Sequence, residues 1–341
     1  GAPPSHTAIL GRSLDIPSVI GLRNARQLIS EHEWVIVDGI NGVLIINPDD
    51  IVLAEYRRKL RAYKSKQREL NKLKNTAATT EDGTQIELYA NIENAEDIKA
   101  LHKFGADGVG LFRSEYLYLN RDTLPDEEEQ YGVYADIVKK MKGKPLTIRT
   151  VDLGVDKNPR WFGQNGTPNG SLNPALGLTG IRLCLAEPVM FRTQMRAILR
   201  AAAHGPVKMM WPMIASVSEL KQCLTHLDTA RRQLAERGEA FGEVSAGCMI
   251  EIPSAALTVS SLLKLVDFIS IGTNDLIQYT LSVDRGDDAV SYLYQPAHPA
   301  VLRLLAHIIH TANMLVLVTS AVCIAVLLSA GKLAPGQLAR R

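Results

Sequence analysis

From residue 86 onward, short apolar segments alternate with longer amphipathic ones, and this alternation constrains the fold more than any other feature of the sequence. We predict strands at 86–92, 108–112, 146–151, 207–213, 246–252, 268–271 and 315–319, with long helices at 125–140, 188–203 and 217–237. Strands that alternate with helices over about 250 residues form a parallel sheet with helical crossovers. The sequence therefore predicts an α/β fold, a (β/α)8 TIM-like barrel.

Polar side chains follow four of the predicted strands at the point where each strand ends. They are Arg113, Arg149, Glu251 and the pair Asn274 and Asp275. Any one of them could be an incidental salt-bridge residue. In a barrel of this class, however, the groups that carry function lie at the C-terminal ends of the strands. Their common position predicts a single site at that end.

The segment 266–285 is the most informative of these strand ends. A buried strand is predicted to end at Gly272, and Asn274, Asp275 and Arg285 follow it. A carboxylate can bind Mg²⁺, a carboxamide can bond to phosphate or carboxylate, and a guanidinium can contact either one in a bidentate way. The alternative is a strand followed by a helix that Asn274 or Asp275 caps. Taken alone, these residues leave both interpretations open.

The overall composition limits the possible partners and location. The net charge is +2, which gives no reason to expect bulk nucleic-acid binding. The four cysteines are far apart and form no paired metal motif, as is typical of a reducing compartment, so we expect a cytoplasmic protein. No N-terminal signal pattern is evident. The uncharged run at 314–330 is short for a membrane span, and we interpret it as strand plus buried helix.

The first part of the chain predicts a small β/α module and a linker. Short strands at 34–38 and 43–47 surround a turn signature, Asp38-Gly-Ile-Asn-Gly42. Residues 49–75 are predicted to form a helix, which carries nine basic residues and one acid between Arg57 and Lys74. We interpret this charge as a solvated face rather than a binding patch. The expected division is a partial phosphohistidine domain at 1–48, a helical linker at 49–80 and a barrel at 81–341.

His6 stands after a Gly/Pro turn and before a helix-like run. Backbone N–H groups at a helix start favour an anion, so a phosphoryl group on His6 would be stabilised there. The alternative is a terminal histidine with no role. The flanking Ser-His-Thr-Ala-Ile, followed by Arg-Ser-Leu and Ile-Pro, resembles the phosphohistidine segment of Enzyme I of the phosphoenolpyruvate-dependent sugar phosphotransferase system. Ala2 and Pro4 depart from that family's usual Gly and Thr.

Arginines that converge on one mouth would repel each other unless a polyanion joins them. Phosphoenolpyruvate (PEP), with a phosphate and a carboxylate, is such a ligand. Arg113 and Arg149 could clamp phosphate oxygens through paired hydrogen bonds, with Arg285 assisting. Glu251 and Asp275 supply hard oxygens for Mg²⁺, which takes one or two carboxylates together with substrate oxygens.

Further motifs extend the resemblance to Enzyme I from His6 to about Ile309. They are Gly108-Val-Gly-Leu-Phe-Arg-Ser-Glu, Arg149-Thr-Val-Asp-Leu-Gly, Ile252-Pro-Ser-Ala-Ala, Gly272-Thr-Asn-Asp-Leu-Ile-Gln-Tyr-Thr-Leu-Ser-Val-Asp-Arg-Gly and Tyr294-Gln-Pro-Ala-His-Pro-Ala-Val-Leu. Pyruvate phosphate dikinase and PEP synthase share the barrel and the Asn-Asp pattern. Ser-His-Thr-Ala-Ile and Gln-Tyr-Thr-Leu-Ser-Val-Asp-Arg are closer to Enzyme I.

The resemblance implies a PEP-protein phosphotransferase that moves a phosphoryl group from PEP to a histidine, and on to a histidine-containing phosphocarrier protein, giving pyruvate. It implies a cytoplasmic homodimer joined through the barrel, with Mg²⁺ as cofactor. The implied roles are phosphorylation at His6, PEP binding by Arg113, Arg149, Asn274 and Arg285, and Mg²⁺ binding by Glu251 and Asp275. Lys157 is a further match, near the phosphate.

Several positions depart from the family pattern. Thr179 stands where the family has another phosphate-contacting arginine, and Cys323, the candidate for the family's general acid, has apolar neighbours. We also expect a chain that is truncated at both ends relative to the family, without the N-terminal region that docks the phosphocarrier. The alternatives are a catalytically impaired fragment that acts as a non-catalytic dimerisation partner, or a dikinase or synthase relative that uses PEP.

Overall fold

Two compact units make up the chain, residues 1–86 and residues 87–341. The computed structural model describes residues 16–19, 22, 25–119, 121–154, 173–287, 289–316 and 324–326. The first unit contains helix α1 (Ala25–Leu28), strands β1 (Val35–Asp38) and β2 (Val43–Ile46), helix α2 (Asp50–Lys72), and strands β3 (Ala78–Thr79) and β4 (Gln85–Ile86). Each pair of strands, β1 with β2 and β3 with β4, is antiparallel.

Local hydrogen bonds explain the first hairpin and the start of α2. The Asp38 carboxylate accepts hydrogen bonds from the backbone N–H groups of Ile40 and Asn41, and Gly42 adopts a φ of +67° that favours glycine. The turn predicted from Asp38-Gly-Ile-Asn-Gly42 is therefore confirmed. Asp49 caps α2 by accepting from the backbone N–H of Val52 at 2.7 Å. No residue of α2, which the structure describes in full, is buried.

The second unit is built on one sheet of parallel strands. The strands are β5 (Tyr89–Ile92), β6 (Gly108–Arg113), β7 (Leu146–Arg149), β8 (Val207–Trp211), β9 (Val244–Ile250), β10 (Phe268–Ile271) and β11 (Ile324–Val326). Within the described ranges, each strand from β5 to β10 pairs in parallel with the next one along the chain. This order is that of a TIM-like α/β barrel, and the predicted fold class is confirmed.

Helices connect the strands of this sheet. They are α3 (Asp97–Phe104), α4 (Glu127–Lys140), α5 (Ile181–Ala186), α6 (Pro188–Ala202), α7 (Val217–Arg237), α8 (Pro253–Leu257), α9 (Val259–Leu262), α10 (Thr273–Leu281) and α11 (Pro299–Val316). The helix α7 shows why the predicted bounds hold: Ser216 and Glu219 form a reciprocal capping box at its start, and Gly238, with a φ of +66°, ends it.

Two of the predicted strands differ from the structure by more than two residues at an end. The segment 86–92 contains the end of β4 and all of β5, because Ile86 pairs antiparallel with Ala78 while Tyr89 pairs parallel with Gly108. The strand predicted at 315–319 begins inside α11, and the last described strand is β11. Among the described residues, no helix has the length and apolar character needed to cross a membrane.

The two faces of the sheet bury different side chains. Phe112, Ile148, Trp211, Cys248 and Ile269 belong to the main core. The intervening side chains Leu111, Met210, Met249 and Phe268 form a second cluster. Because successive side chains of a strand point to opposite faces, Arg113 and Glu251 lie on the same face as Leu111 and Met249. Strand periodicity thus directs the predicted site residues away from the main core.

Candidate active site

The predicted site residues lie at one end of the sheet. Arg113 and Arg149 are the last residues of β6 and β7, and they are register partners in the parallel pairing of these strands. Glu251 follows directly after β9, and Asp275 lies in the first turn of α10, immediately beyond β10. The prediction that these residues share the C-terminal ends of the strands is confirmed.

Arg149 is held by two carboxylates. Its Nη2 donates to Glu115 Oε1 and its Nη1 contacts Asp152 Oδ2, both at 2.9 Å, and 11% of its side chain is exposed. Burial disfavours the charged guanidinium, but attraction by Glu115, Asp152 and Glu251 outweighs it and raises the pKa of Arg149. Its Nε atom has no hydrogen-bond partner within the described part of the chain. Arg149 is therefore a cation in a fixed position, and its Nε–H group can still donate a hydrogen bond to a ligand.

Glu115 was not assigned a role from the sequence, although it orients Arg149. It lies in a 3₁₀ turn (Ser114–Leu117) that directly follows β6, and it is buried. Its Oε1 also accepts the backbone N–H of Asp152 at 3.0 Å. Burial raises the pKa of Glu115 despite the attraction of Arg149. Its position two residues after Arg113 was the available signal.

Arg113 is also paired with a carboxylate. Its Nη1 donates to Glu93 Oε1 at 2.6 Å, and 38% of its side chain is exposed. Burial, followed by a hydrogen bond with Glu93, raises the pKa of Tyr116 to about 12. We expected the arginines of the site to repel each other unless a polyanion joined them. In the structure, Arg113 and Arg149 each have acidic partners from the protein itself.

Glu251 is a fully buried carboxyl group with one unused oxygen. Its Oε1 accepts the backbone N–H of Met213 at 2.6 Å, whereas its Oε2 has no hydrogen-bond partner among the residues described. Burial, followed by repulsion from Asp152 and Asp275, raises the pKa of Glu251 to about 8. A carboxylate at this position would be stabilised by an added positive charge.

Gly272 provides the space beside this carboxyl group. A Cβ atom on Gly272 would lie 2.6 Å from Glu251 Oε2 and 2.9 Å from Met249 Sδ. Real Cβ atoms do not approach other atoms so closely, so either side chain would have to move. Glycine is thus required after β10 by the position of the Glu251 side chain, rather than by its own backbone conformation, which has a φ of −83°.

These acidic groups fit a divalent cation of the magnesium type. No cluster of three or more His, Cys, Asp or Glu side chains in the described ranges is placed to hold a metal alone. Two carboxylates are nevertheless sufficient for Mg²⁺, which completes its coordination with substrate oxygens and water. The unused Oε2 of Glu251 and the repulsion between Glu251 and Asp275 both favour such an ion. The residues that could hold it are Glu251 and Asp275.

The residues after β10 connect the acidic groups to a further arginine. Asp275 Oδ1 lies 3.5 Å from Arg285 Nη2, and both side chains are partly exposed. Asn274 Oδ1 accepts from the Tyr294 hydroxyl at 3.1 Å. A helix does follow the strand, as the alternative stated, but its N-cap position is Gly272 rather than Asn274 or Asp275.

Four further residues named from the sequence have different outcomes. His6, Lys157 and Cys323 lie outside the described residues, so their predicted roles stay predictions. Thr179 forms an isolated antiparallel bridge with Gly154.

Comparison with known proteins identifies the family. Residues 67–324 match the PEP-binding domain of PEP-utilising enzymes, and residues 1–42 match the mobile domain of the same enzymes. A relative named phosphoenolpyruvate-protein phosphotransferase from Cupriavidus necator is 50% identical over 315 residues, which are 92% of this chain and 53% of that protein. A protein of the same name from Bacillus subtilis is 45% identical over 314 residues, 92% of this chain and 54% of that one.

Among solved structures, a citrate lyase from Burkholderia xenovorans aligns with 70% of this chain and 63% of its own, with a TM-score of 0.38 and 14% identity.

The chain spans about half the length of the curated relatives it matches. The family match covers most of the chain and includes the ends of β6, β7, β9 and β10, where the predicted site residues lie. The chain therefore belongs to the PEP-utilising enzymes.

Proposed function

We propose that this chain acts in a PEP-protein phosphotransferase that transfers the phosphoryl group of PEP to His6 and then to a histidine-containing phosphocarrier protein. The observation that carries the proposal is the buried Oε2 of Glu251, which has no hydrogen-bond partner among the described residues and lies at the strand ends that also carry Arg149. Because the chain covers about half of its relatives, the activity of the whole protein is part of the proposal.

The basic and amide groups would hold the substrate. Arg113, Arg149 and Arg285, together with Asn274, would contact the phosphate and carboxylate of PEP. A guanidinium can bind either group through two parallel hydrogen bonds. The buried position of Arg149 and its two carboxylate partners support this role, because they fix the guanidinium before the ligand arrives.

Glu251 and Asp275 would hold Mg²⁺ at this site. The ion would supply positive charge opposite the oxygen on which the enolate charge develops. Glu251 must lose its proton to bind a cation, so binding would release protons at neutral pH. Gly272 keeps the space beside Oε2 open for this purpose.

The transfer itself is a displacement at phosphorus. A ring nitrogen of His6 attacks the phosphorus atom, the bond between phosphorus and the enol oxygen breaks, and the enolate leaves. The enolate carbon then takes up one proton to give pyruvate. The phosphoryl group passes from His6 to a histidine of the phosphocarrier protein, which regenerates the neutral imidazole.

The proposal includes the organisation of the chain: a partial phosphohistidine domain at 1–48, a helical linker at 49–80 and a PEP-binding barrel at 81–341. It also includes a homodimer joined through the barrel and a cytoplasmic location.

Two measurements test the function. Isothermal titration of the chain with Mg²⁺ and PEP should show binding, and the absence of heat would remove the proposal. Incubation with PEP that carries labelled phosphate should label the wild-type chain but not the His6→Ala variant. If PEP binds but His6 is not labelled, mixed dimers with an intact relative would favour the non-catalytic dimerisation partner instead.

A further inference from the structure

A chain of buried polar side chains lies beneath the strand ends that carry Arg113 and Arg149. We call it the Gln194 network, and its members are Ser114, Tyr118, Gln130, Tyr134 and Gln194. At most 1% of each of these residues is exposed. They join the ends of β6 and β7 to helices α4 and α6, within the face of the sheet that packs on the main core.

Gln194 makes three hydrogen bonds that fix the orientation of its carboxamide. Its Oε1 accepts the backbone N–H of Val151 at 2.9 Å, and its Nε2 donates to Ser114 Oγ at 2.9 Å and to the Tyr134 hydroxyl at 3.1 Å. Exchanging the amide oxygen and nitrogen would place an NH₂ group against the Val151 N–H. One helix side chain therefore contacts the ends of two neighbouring strands.

Ser114 completes the connection to Arg149. Its Oγ donates to the backbone carbonyl of Arg149 at 2.7 Å. The carbonyl of Arg149 and the N–H of Val151 are thus both held from the same side, and Ser114 itself directly follows Arg113. On the other side of β7, the N–H of Thr150 donates to the carbonyl of Met210 in β8 at 2.9 Å.

The backbone pairing of β6 with β7 is irregular. The hydrogen bonds of Ser114 and Gln194 therefore contribute more to holding these strand ends together than they would beside a regular ladder. The register of the two strands shifts between Val109 and Phe112, just before Arg113 meets Arg149. A register shift of this kind interrupts the regular ladder and increases local twist. The spacing of the two strand ends consequently depends on Ser114 and Gln194 as well as on the sheet.

We propose that Gln194 is a positioning residue for ligand binding: acting through Ser114 and the 149–151 backbone, it sets the spacing between the guanidinium groups of Arg113 and Arg149. The inference rests on the proposed function, because it assumes that these two arginines bind the phosphate of PEP. A dianion that must contact both guanidinium groups is sensitive to the distance between them. In enzymes, a misplacement of about 1 Å can lower the reaction rate about a hundredfold.

The test uses the full chain and compares two buried glutamines of the same network. Gln194→Met keeps the side-chain length and removes all three hydrogen bonds. Gln130→Met is the matched control, since Gln130 bonds to Tyr118, Tyr134 and the carbonyl of Pro125 but to no atom of a strand end. The dissociation constant for PEP with Mg²⁺ is measured by titration calorimetry, and the midpoint of thermal unfolding is measured beside it.

We expect Gln194→Met to raise the PEP dissociation constant by at least about tenfold. Gln130→Met, with a comparable drop in unfolding midpoint, should change it less than about twofold. Ser114→Ala should also weaken binding, whereas Ser114→Thr keeps the hydroxyl and should restore most of the affinity. Equal effects of the two glutamine substitutions, or unchanged affinity in both Gln194→Met and Ser114→Ala, would overturn the inference. If the wild-type chain itself does not bind PEP, the proposed function fails instead.

Discussion

At the scale of single residues, Glu251 is a buried acid. A proton and the proposed Mg²⁺ ion compete for its carboxyl group. Burial raises its pKa to about 8, so this competition takes place near neutral pH. Its Oε1 is committed to the Met213 backbone, which leaves Oε2 for the ion. This oxygen would therefore gain a partner when the ion binds.

Glu251→Gln should separate ligand binding from the stability of the free protein. The carboxamide has the size of the protonated carboxyl group, so the free energy of unfolding at pH 7 should change by less than about 1 kcal/mol. PEP binding in the presence of Mg²⁺ should weaken at least about tenfold, because a metal ligand is lost. Urea unfolding and titration calorimetry measure the two quantities. Full PEP affinity in this variant would argue against Glu251 as a metal ligand.

Gly272→Ala should damage the same site by steric means. The added methyl group would meet Glu251 Oε2 and Met249 Sδ, and such overpacking costs about 1–3 kcal/mol of unfolding free energy. Gly132→Ala is the control, because a Cβ at that position in α4 meets no atom of the described residues within 4 Å and should be neutral or stabilising. Thermal unfolding and Mg²⁺-dependent PEP titration of both variants check this. Equal stability of the two variants would contradict the prediction.

The strand-end residues could be predicted from the sequence because each follows an apolar run. Their partners were harder to find. Glu115 and Asp152 lie within the motifs but become partners of Arg149 only when the turns after β6 and β7 bring them back toward it. Gln194 is a polar residue on the buried side of α6, and this was its only signal. Hydrogen bonds between distant segments are not encoded in local periodicity.

At the scale of elements, an ionic cluster joins three helices. Glu127, in the first turn of α4, accepts from Arg196 at 2.6 Å and from Arg200 at 3.1 Å, both on α6, and contacts Arg237 of α7 at 3.1 Å. Only 13% of the Glu127 side chain is exposed. Burial alone would raise its pKa, but the hydrogen bonds from Arg196, Arg237 and Arg200 outweigh it, and the pKa of Glu127 is lowered.

This cluster predicts a pH dependence of stability. Because the folded pKa of Glu127 is lowered, the folded state binds fewer protons than the unfolded state at acid pH. The contribution is therefore fully present above the ordinary glutamate pKa and is lost as the pH falls through the lowered one. Glu127→Gln should lower the unfolding free energy by about 3 kcal/mol at pH 7, and the difference from wild type should shrink below about pH 4.

Glu128→Gln is the control for this prediction. Glu128 also contacts Arg200, but 71% of its side chain is exposed, so its loss should cost no more than about 1 kcal/mol. Urea denaturation from pH 3 to pH 7 measures both variants. A pH-independent difference between wild type and Glu127→Gln would show that the cluster acts through packing rather than charge.

Helices were the elements predicted best from the sequence. The bounds of α7 follow from its capping box and its terminal glycine, which are local signals. The strand predicted at 86–92 was wrong in extent, because β4 and β5 belong to different sheets and pair in opposite senses. The apolar pattern of a segment predicts a strand but not the strand with which it pairs, because pairing depends on distant parts of the chain.

At the scale of the whole molecule, the two units differ in how they are stabilised. The second unit contains the main core, to which strands β6 to β10 all contribute. In the first unit, α2 buries no residue along its described length, and the segment 57–74 carries nine basic residues and one acid. Helices in proteins derive most of their stability from tertiary packing, and like charges on one helix repel.

Hydrogen exchange should therefore be uneven along the chain. We expect the amides of α2 to exchange at least about a hundredfold faster than those of β8 and β9, because α2 can open without exposing a core. Raising the ionic strength should slow exchange in α2 slightly, since salt screens the repulsion among its basic side chains. Exchange measured by mass spectrometry on peptides from both regions checks this. Equal protection would mean that α2 is covered in solution.

The pairing of Arg113 with Glu93 makes ligand binding a competition between two anions for one guanidinium. A visiting anion must share this guanidinium with a carboxylate that already accepts a hydrogen bond from its Nη1 atom. A singly charged ion such as chloride or acetate competes weakly with this carboxylate. A doubly charged ligand that also contacts a second guanidinium competes more strongly. We expect abundant small anions to bind weakly at this end of the barrel, even without a moving lid to exclude them.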